Sequence, residues 1–202
     1  MNGKLWSRGV LKLALAGMLA PLLLNSCAGT PALAVQNQAE QRFQGEHARL
    51  RLRFIDETEL IERYGRRDNL FIAPPGLLSR ERFIAFDFEV GARREPVLLA
   101  LNQIEMSYGG RNARPVNQFH HGQYWQQRDE QQGIGGAQAL SRQRTIRQVL
   151  PANQTRVAPR ESESGMLLFR GSFPQFGAAV ITVQLLDQNE RPLERATFTF
   201  EF

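Results

Sequence analysis

The residue types that could carry chemistry in this chain are concentrated in one polar stretch, residues 111–136. Two adjacent histidines, His120 and His121, lie near its centre, and two carboxylates, Asp129 and Glu130, follow them. A histidine beside a carboxylate can act as a general base, and an imidazole nitrogen can bind a transition metal. A hydrolase or metal-dependent enzyme that uses this stretch is therefore one hypothesis for the function.

The spacing of these residues weakens that hypothesis. We interpret the stretch as a long loop, and neighbouring side chains of an extended chain point apart. No carboxylate or cysteine accompanies the histidines at the spacing of a metal site. His120 and His121 are thus only weak metal candidates, and we expect no cofactor and no catalytic residue. Tyr124 and Trp125, as amphipathic aromatics, are expected to pin the loop to the domain or to form a contact surface.

A row of three arginines is the next candidate. Arg49, Arg51 and Arg53 alternate with apolar residues over the segment 49–54, which is the period of a half-buried strand. Three guanidinium groups on one face could bind phosphate or an acidic glycan. The alternative is a solvated face that pairs with acids of a neighbouring strand, and antiparallel sheets normally have such a polar face.

A pair of carboxylates occupies the strongest predicted strand, residues 83–90. Asp87 and Glu89 share one face of it, and two carboxylates can form a glycosidase pair. No neighbouring motif indicates a substrate cleft. We therefore expect these two residues to lie on a solvated face.

The elements that must position these residues are mostly strands. About seven short segments alternate in polarity, and a change of parity between Leu101 and Ile104 predicts a bulge or a switch between sheets. Asp56 and Glu59 have the spacing of a helix cap, whereas residues 137–150 fit either a helix or, in their last third, a strand. The pattern predicts a mainly β fold: an antiparallel, immunoglobulin-like β-sandwich with one or two short helical insertions.

The last strand alternates most clearly. Its apolar residues share one face and oppose two threonines and a glutamate; they are Ala196, Phe198, Phe200 and Phe202. We expect this face to close the core.

The N-terminus carries the strongest motif. Lys4 and Arg8 precede an apolar run over residues 10–24, which is short for a membrane span. The run ends in the sequence Leu24-Asn25-Ser26-Cys27, and Cys27 is the only cysteine of the chain. This arrangement resembles the signal of bacterial lipoproteins.

The resemblance implies a lipidated protein. It implies that residues 1–26 are a signal peptide, that the chain is cut before Cys27, and that this residue carries the lipid and holds the protein on the membrane. In that family an Asp after the cysteine favours the inner membrane, and Ala28 stands there instead. We therefore expect an envelope protein of the outer membrane that faces the periplasm, with a flexible tether over 27–45 and one domain over 46–202.

The charge of the mature chain excludes one class of partner. The precursor has 25 Lys and Arg residues against 20 acids, but three of the basic residues lie in the signal. The mature chain therefore has a net charge near +2, and nucleic acid is not implied as a partner. With Cys27 lipidated no disulfide can form, so the core alone must stabilise the domain.

These observations favour a lipid-anchored envelope protein whose β-sandwich is a non-enzymatic binding or assembly module. Its expected partner is a protein or a glycan of the cell surface. An enzyme that uses His120 or His121 is the alternative. The sequence does not indicate an oligomeric state.

Overall fold

The computed structural model describes residues 32–67, 69–74 and 81–202. These residues form nine strands and three helices. In chain order they are β1 (Glu40–Gln44), β2 (Ala48–Ile55), α1 (Glu57–Tyr64), β3 (Arg82–Ala92), β4 (Val97–Tyr108), β5 (Arg111–Ala113), α2 (Gln118–Gln131), α3 (Ala137–Val149), β6 (Gln154–Val157), β7 (Ser162–Gly171), β8 (Ala178–Leu186) and β9 (Pro192–Glu201). The predicted signal peptide and Cys27 lie outside the described residues.

The strands form two antiparallel sheets that share one hydrophobic core. The first sheet has the order β1-β2-β3-β7; the second has the order β5-β4-β8-β9, with β6 also paired to β4. Phe86 of the first sheet meets Phe200 of the second, with 4.9 Å between the ring centroids. The prediction of a mainly β, antiparallel fold is confirmed.

The immunoglobulin-like arrangement is not confirmed. In an immunoglobulin domain the third strand lies in the sheet opposite the first two. Here β1, β2 and β3 lie side by side in one sheet, and β4 is the first strand of the other.

Alternation along each strand decides which residues enter the core. The four apolar residues predicted to share the core face at the end of the chain are each at most 4% exposed; they are Ala196, Phe198, Phe200 and Phe202. In β4 the pairing with β8 shifts between Leu99 and Ile104, so the change of parity seen in the sequence is a bulge. Both of these predictions are confirmed.

The tether predicted over 27–45 is too long, because the described part of it belongs to the fold. Residues 40–44 form β1, which pairs with β2. Leu33 is buried in the core, and the Gln36 amide donates to the Glu201 carbonyl at 2.7 Å. The side-chain amide of Gln41 bonds the backbone of Thr199 in both directions. These bonds satisfy backbone groups of Thr199 on the unpaired edge of β9. The alternation of apolar and polar residues along the strand does not reveal such an interaction.

The described residues contain three helices, more than the one or two short helices that the sequence pattern predicts. Helix α1 begins as predicted, since the Asp56 carboxylate accepts from the Glu59 amide at 2.8 Å. The segment interpreted as a long loop instead contains α2, and α3 follows as a helix rather than a strand. All three helices cover the outer face of the first sheet, where a second apolar cluster forms around Leu60, Trp125 and Ile146. None of the described helices has the length and apolarity needed to cross a membrane.

The helical insertion is attached to one side of the two sheets. The Val116 amide, just before α2, donates to the Leu168 carbonyl of β7 at 2.8 Å, and Pro115 forms a bridge with Phe169. Strands β1 and β9 meet on the opposite side. Helix α2 therefore begins at the side formed by β5, β6 and β7.

Candidate functional site

Two of the three arginines in the β2 row are paired with acids. Arg53 donates to both carboxylate oxygens of Glu59 at 2.8 Å and also bonds Asp87. Arg51 bonds Glu89 and Glu40, each at 3.2 Å. For Arg51 and Arg53 the structure shows the alternative of a face paired with neighbouring acids.

These ion pairs change the pKa of the acids. The hydrogen bond from Arg53 lowers the pKa of Glu59 below its ordinary value. Burial alone would raise the pKa of Asp87, but hydrogen bonds from Arg63 and Arg53 outweigh it and lower that pKa. Both carboxylates are therefore held ionised by arginine. Asp87 consequently makes a poor general acid, and the glycosidase pair with Glu89 is not favoured.

Arg49 is the remaining member of the row. Its side chain lies across Gly91 of β3, where a Cβ would stand 2.5 Å from Arg49 Nε. Arg49 lines a surface depression together with Arg42 and Arg51. Of the three predicted arginines, Arg49 has the position that best fits an external contact.

His120 and His121 diverge because they lie on a helix rather than on an extended loop. His120 is exposed, whereas His121 is fully buried against the first sheet. The two imidazoles therefore face different environments. Within the ranges that the structure describes, no three His, Cys, Asp or Glu side chains come close enough to hold a metal.

The buried imidazole of His121 has a structural environment. Its Nε2 lies 2.7 Å from the Leu70 carbonyl and its ring stacks beside Phe71. Burial lowers the pKa of His121 to about 4, although the hydrogen bond to Leu70 opposes that change. His121 is therefore neutral at physiological pH and out of contact with solvent, which disfavours a catalytic role.

Trp125 and Tyr124 hold α2 to the domain. Trp125 is 6% exposed, and its indole donates to the Leu70 carbonyl at 3.0 Å. Tyr124 is half-buried, bonds Glu81 at 3.2 Å and lies under the Arg170 guanidinium, 4.7 Å from the ring centroid. Their predicted role in pinning the segment agrees with this geometry. Trp125 lies one helical turn from His121 on the inner face of α2. Because that face packs against the domain, Trp125 has little surface left for a partner.

The carboxylates of the enzyme hypothesis are also engaged. Asp129 is 2% exposed and forms a buried ion pair with Arg142 of α3. Glu130 is exposed and accepts from the amide of Gln126 at 3.0 Å. The buried Asp129–Arg142 pair joins the two helices and is sheltered from substrate.

A groove of about 1090 Å³ lies where α2 and α3 meet the second sheet. Its lining includes Arg114 and Arg147, His120 and Phe119, and the Phe119 side chain is 64% exposed. Most of the remaining polar lining consists of side-chain amides; among them are Gln118, Gln123, Gln126, Gln143, Asn153 and Gln154. We call this feature the amide groove.

One glycine and two asparagines shape the amide groove. Gly122 of α2 has no side chain where a Cβ would stand 2.5 Å from Gln143 Oε1, and the Gln143 amide donates to the Gly122 carbonyl at 2.8 Å. Asn117 caps α2 by accepting from the His120 amide, and its own amide donates to Asn153 at 2.7 Å. The helix pair is thus fixed closely to the loop before β6.

Sequence reasoning identified only His120 among the groove residues. The missed signals are Asn117, which is a typical N-cap residue, and the spacing of His121 and Trp125, which suits a helix. Because this segment has a low apolar content, it lacks the apolar periodicity by which a helix is predicted from sequence. The amides of the groove come from several distant segments, and no local pattern joins them.

No protein-family model matches the chain, and neither does any curated protein. Among solved structures, ycdA from Bacillus subtilis, provisionally described as a lipoprotein, matches part of the chain. The two share 7% sequence identity with a TM-score of 0.45. The match covers 82% of this chain but only 39% of the Bacillus protein. A similarity at this level carries no argument about function.

Proposed function

We propose that this chain is a lipid-anchored protein of the bacterial envelope whose domain binds an acidic glycan, without catalysis, in the amide groove. The anchor is supported by the motif that ends in Cys27, after the basic and apolar segments of the signal. The outer membrane, on its periplasmic side, is the proposed location because Ala28 follows that cysteine. The amide groove is the observation that carries the binding function.

The lining of the groove suits a sugar. A side-chain amide can donate and accept at once, as a sugar hydroxyl can, so rows of Gln and Asn match a hydroxylated surface. The exposed Phe119 ring offers a flat apolar face on which the C–H face of a pyranose can lie. The ring is 64% exposed, so it is accessible to a ligand in the groove.

The charge of the groove favours an acidic sugar. Arg114 and Arg147 both line it, and no Asp or Glu is among its described lining residues. Guanidinium groups recognise carboxylates through paired hydrogen bonds. An oligosaccharide that carries carboxylate groups therefore fits better than a neutral one.

The enzyme alternative has less support. His121 and Asp129 are buried and bonded within the domain, and the acids of the first sheet are paired with arginines. His120 remains accessible in the groove, where it lies beside Phe119. In the proposed function it contributes a hydrogen bond to the ligand.

Calorimetric titration with oligouronates tests the proposed ligand class, with neutral gluco-oligosaccharides of equal length as the comparison. Phe119→Ser and Arg147→Gln should each weaken oligouronate binding by about tenfold, which corresponds to about 1.4 kcal/mol. Leu140→Ser is the matched control, because Leu140 is also 64% exposed but lies on α3 outside the groove. Equal affinity for neutral and acidic sugars, or equal effects of all three substitutions, would overturn the assignment. A protein that occupies the groove in place of sugar would also contradict it.

The anchor has its own test. Cys27→Ser in the full chain should abolish metabolic labelling by fatty acid and leave an uncleaved or mislocalised protein. A wild-type protein that partitions with membranes but takes up no labelled lipid would rule out the anchor.

A further inference from the structure

The described part of the chain exposes three large apolar side chains: Phe119, Leu140 and Phe176. Phe119 belongs to the amide groove. Phe176 is 67% exposed and lies in the loop of residues 172–177 between β7 and β8, none of which lines the groove. Phe176 is therefore a second exposed aromatic ring, and it does not line the amide groove.

The loop that carries Phe176 is held firmly by its neighbours. Phe173 is 6% exposed and stacks on Tyr108, with 5.8 Å between the centroids. The Tyr108 hydroxyl donates to the Pro174 carbonyl at 3.0 Å. Gly177 and Phe202 exchange backbone hydrogen bonds of 3.0 Å in both directions. The loop is therefore anchored on both sides of Phe176, and the ring is presented to solvent by a fixed backbone.

The N-terminal segment joins the domain at the same end. The Gln36 amide donates to the Glu201 carbonyl, and the Glu201 amide donates to Asn37 Oδ1 at 3.2 Å. Glu201 precedes Phe202, which bonds the residue next to Phe176. From there β1 runs away from this end, alongside β2. The chain that leads from Cys27 and the loop of Phe176 thus meet at Glu201 and Phe202.

The length of the intervening chain limits how far this end can stand from the membrane. Leu33 is buried in the core, and only residues 28–32 separate it from Cys27. Even a fully extended chain spans at most about 20 Å between these two residues. A domain on so short a connection keeps the end at which the N-terminal segment joins it close to the bilayer.

We propose that the end of the domain that carries Phe176 rests on the membrane, and that the Phe176 ring inserts into the bilayer interface. This inference depends on the lipid anchor at Cys27 of the proposed function. Aromatic rings are favoured at the level of the lipid headgroups, and a second apolar contact beside an acyl anchor fixes the orientation of the domain. No described residue that lines the amide groove belongs to the Phe176 loop or is Glu201 or Phe202, so the groove is expected to remain open to the periplasm.

Indole fluorescence on vesicles tests this contact. Residues 27–202 contain every described element, and Cys27 is the only thiol, so it can be coupled to a maleimide phospholipid whether or not bacteria lipidate it. The vesicles contain phosphatidylethanolamine and phosphatidylglycerol with or without brominated acyl chains, which quench nearby indoles. F176W is the reporter, and F119W is the matched control because the two phenylalanines are 67% and 64% exposed. The emission of the unsubstituted protein, from Trp125, is subtracted.

The expected result is at least twofold quenching of F176W by brominated lipid and no quenching of F119W. Hydrogen exchange of the unsubstituted protein gives a second measurement: residues 172–177 should exchange more slowly after coupling, and α2 should not change. Absence of both effects, or equal quenching of the two reporters, would overturn the membrane contact. A concentration-dependent emission shift of uncoupled F176W without vesicles would assign the surface to a second copy instead. Failure of fatty-acid labelling in cells would refute the natural anchor separately.

Discussion

Acidification should destabilise this protein through one buried imidazole. His121 is fully buried, and its Nε2 is hydrogen-bonded to Leu70. Its Nδ1 is also buried and has no hydrogen-bond partner among the described residues. Protonation would place a charge and an unsatisfied N–H in an apolar cluster, and this is why burial lowers the pKa of His121 to about 4.

The direction of the pH effect follows from the two states. In the unfolded chain the imidazole has its ordinary pKa of 6.5, so it binds a proton below that pH, whereas the folded protein does not until about pH 4. The contribution of neutral His121 to the stability of the folded protein is fully present above pH 6.5 and is lost as the pH falls towards 4. Between pH 7 and pH 5 the loss in unfolding free energy is about 2 kcal/mol.

Urea unfolding at these two pH values measures the effect. A change of about 2 kcal/mol moves the midpoint by about 1 M urea for a domain of this size. His121→Phe should remove most of this dependence, because the ring no longer titrates and the Leu70 carbonyl keeps its bond from Trp125. His120→Gln is the control on the same helix, since His120 lies in solvent.

The test compares, for each variant, the change in unfolding free energy between pH 7 and pH 5, whatever its absolute stability. The wild type and His120→Gln should lose stability in parallel between pH 7 and pH 5, and His121→Phe should lose much less. If His121→Phe shows the wild-type loss, the destabilisation comes from other groups and the assigned role of His121 is wrong.

Further tests address the core, the helix pair and the groove. Phe200→Ala should cost about 3–5 kcal/mol and lower the melting temperature by roughly 10 °C, while Thr199→Ala on the opposite face should change it little; equal effects would contradict the register. Arg142→Met should cost about 3–5 kcal/mol by leaving Asp129 buried without its partner, and adding Asp129→Leu should recover most of that loss in thermal unfolding. Gly122→Ala would place a Cβ 2.5 Å from a side-chain oxygen of α3 and should weaken oligouronate binding in calorimetry, with a change in unfolding free energy of less than about 1 kcal/mol.

Local patterns in the sequence determined the longer strands and the first helix, but not β1. Alternation has the period of a strand, so the faces of β2, β3 and β9 could be assigned without knowledge of their partners. Asp56 and Glu59 fixed the start of α1, since a capping interaction spans only three residues. The bulge in β4 was visible for the same reason, as a change of parity between Leu101 and Ile104.

Only the tertiary structure decided the order of the strands and the environment of the candidate residues. Strand pairing depends on contacts between distant segments, so the immunoglobulin-like order could not be tested by alternation. Helix α2 has weak apolar periodicity, and it is packing against the first sheet that buries His121 and Trp125. That packing also joins Asp129 to Arg142.

The same distinction applies to the two proposed surfaces. The motif that ends in Cys27 is local, and the sequence alone indicates it. The amide groove collects side chains from residues 101 to 154, and the Phe176 loop meets the N-terminal segment through Glu201 and Phe202. Long-range contacts bring these residues together, and a local pattern holds no information about which distant segments will meet.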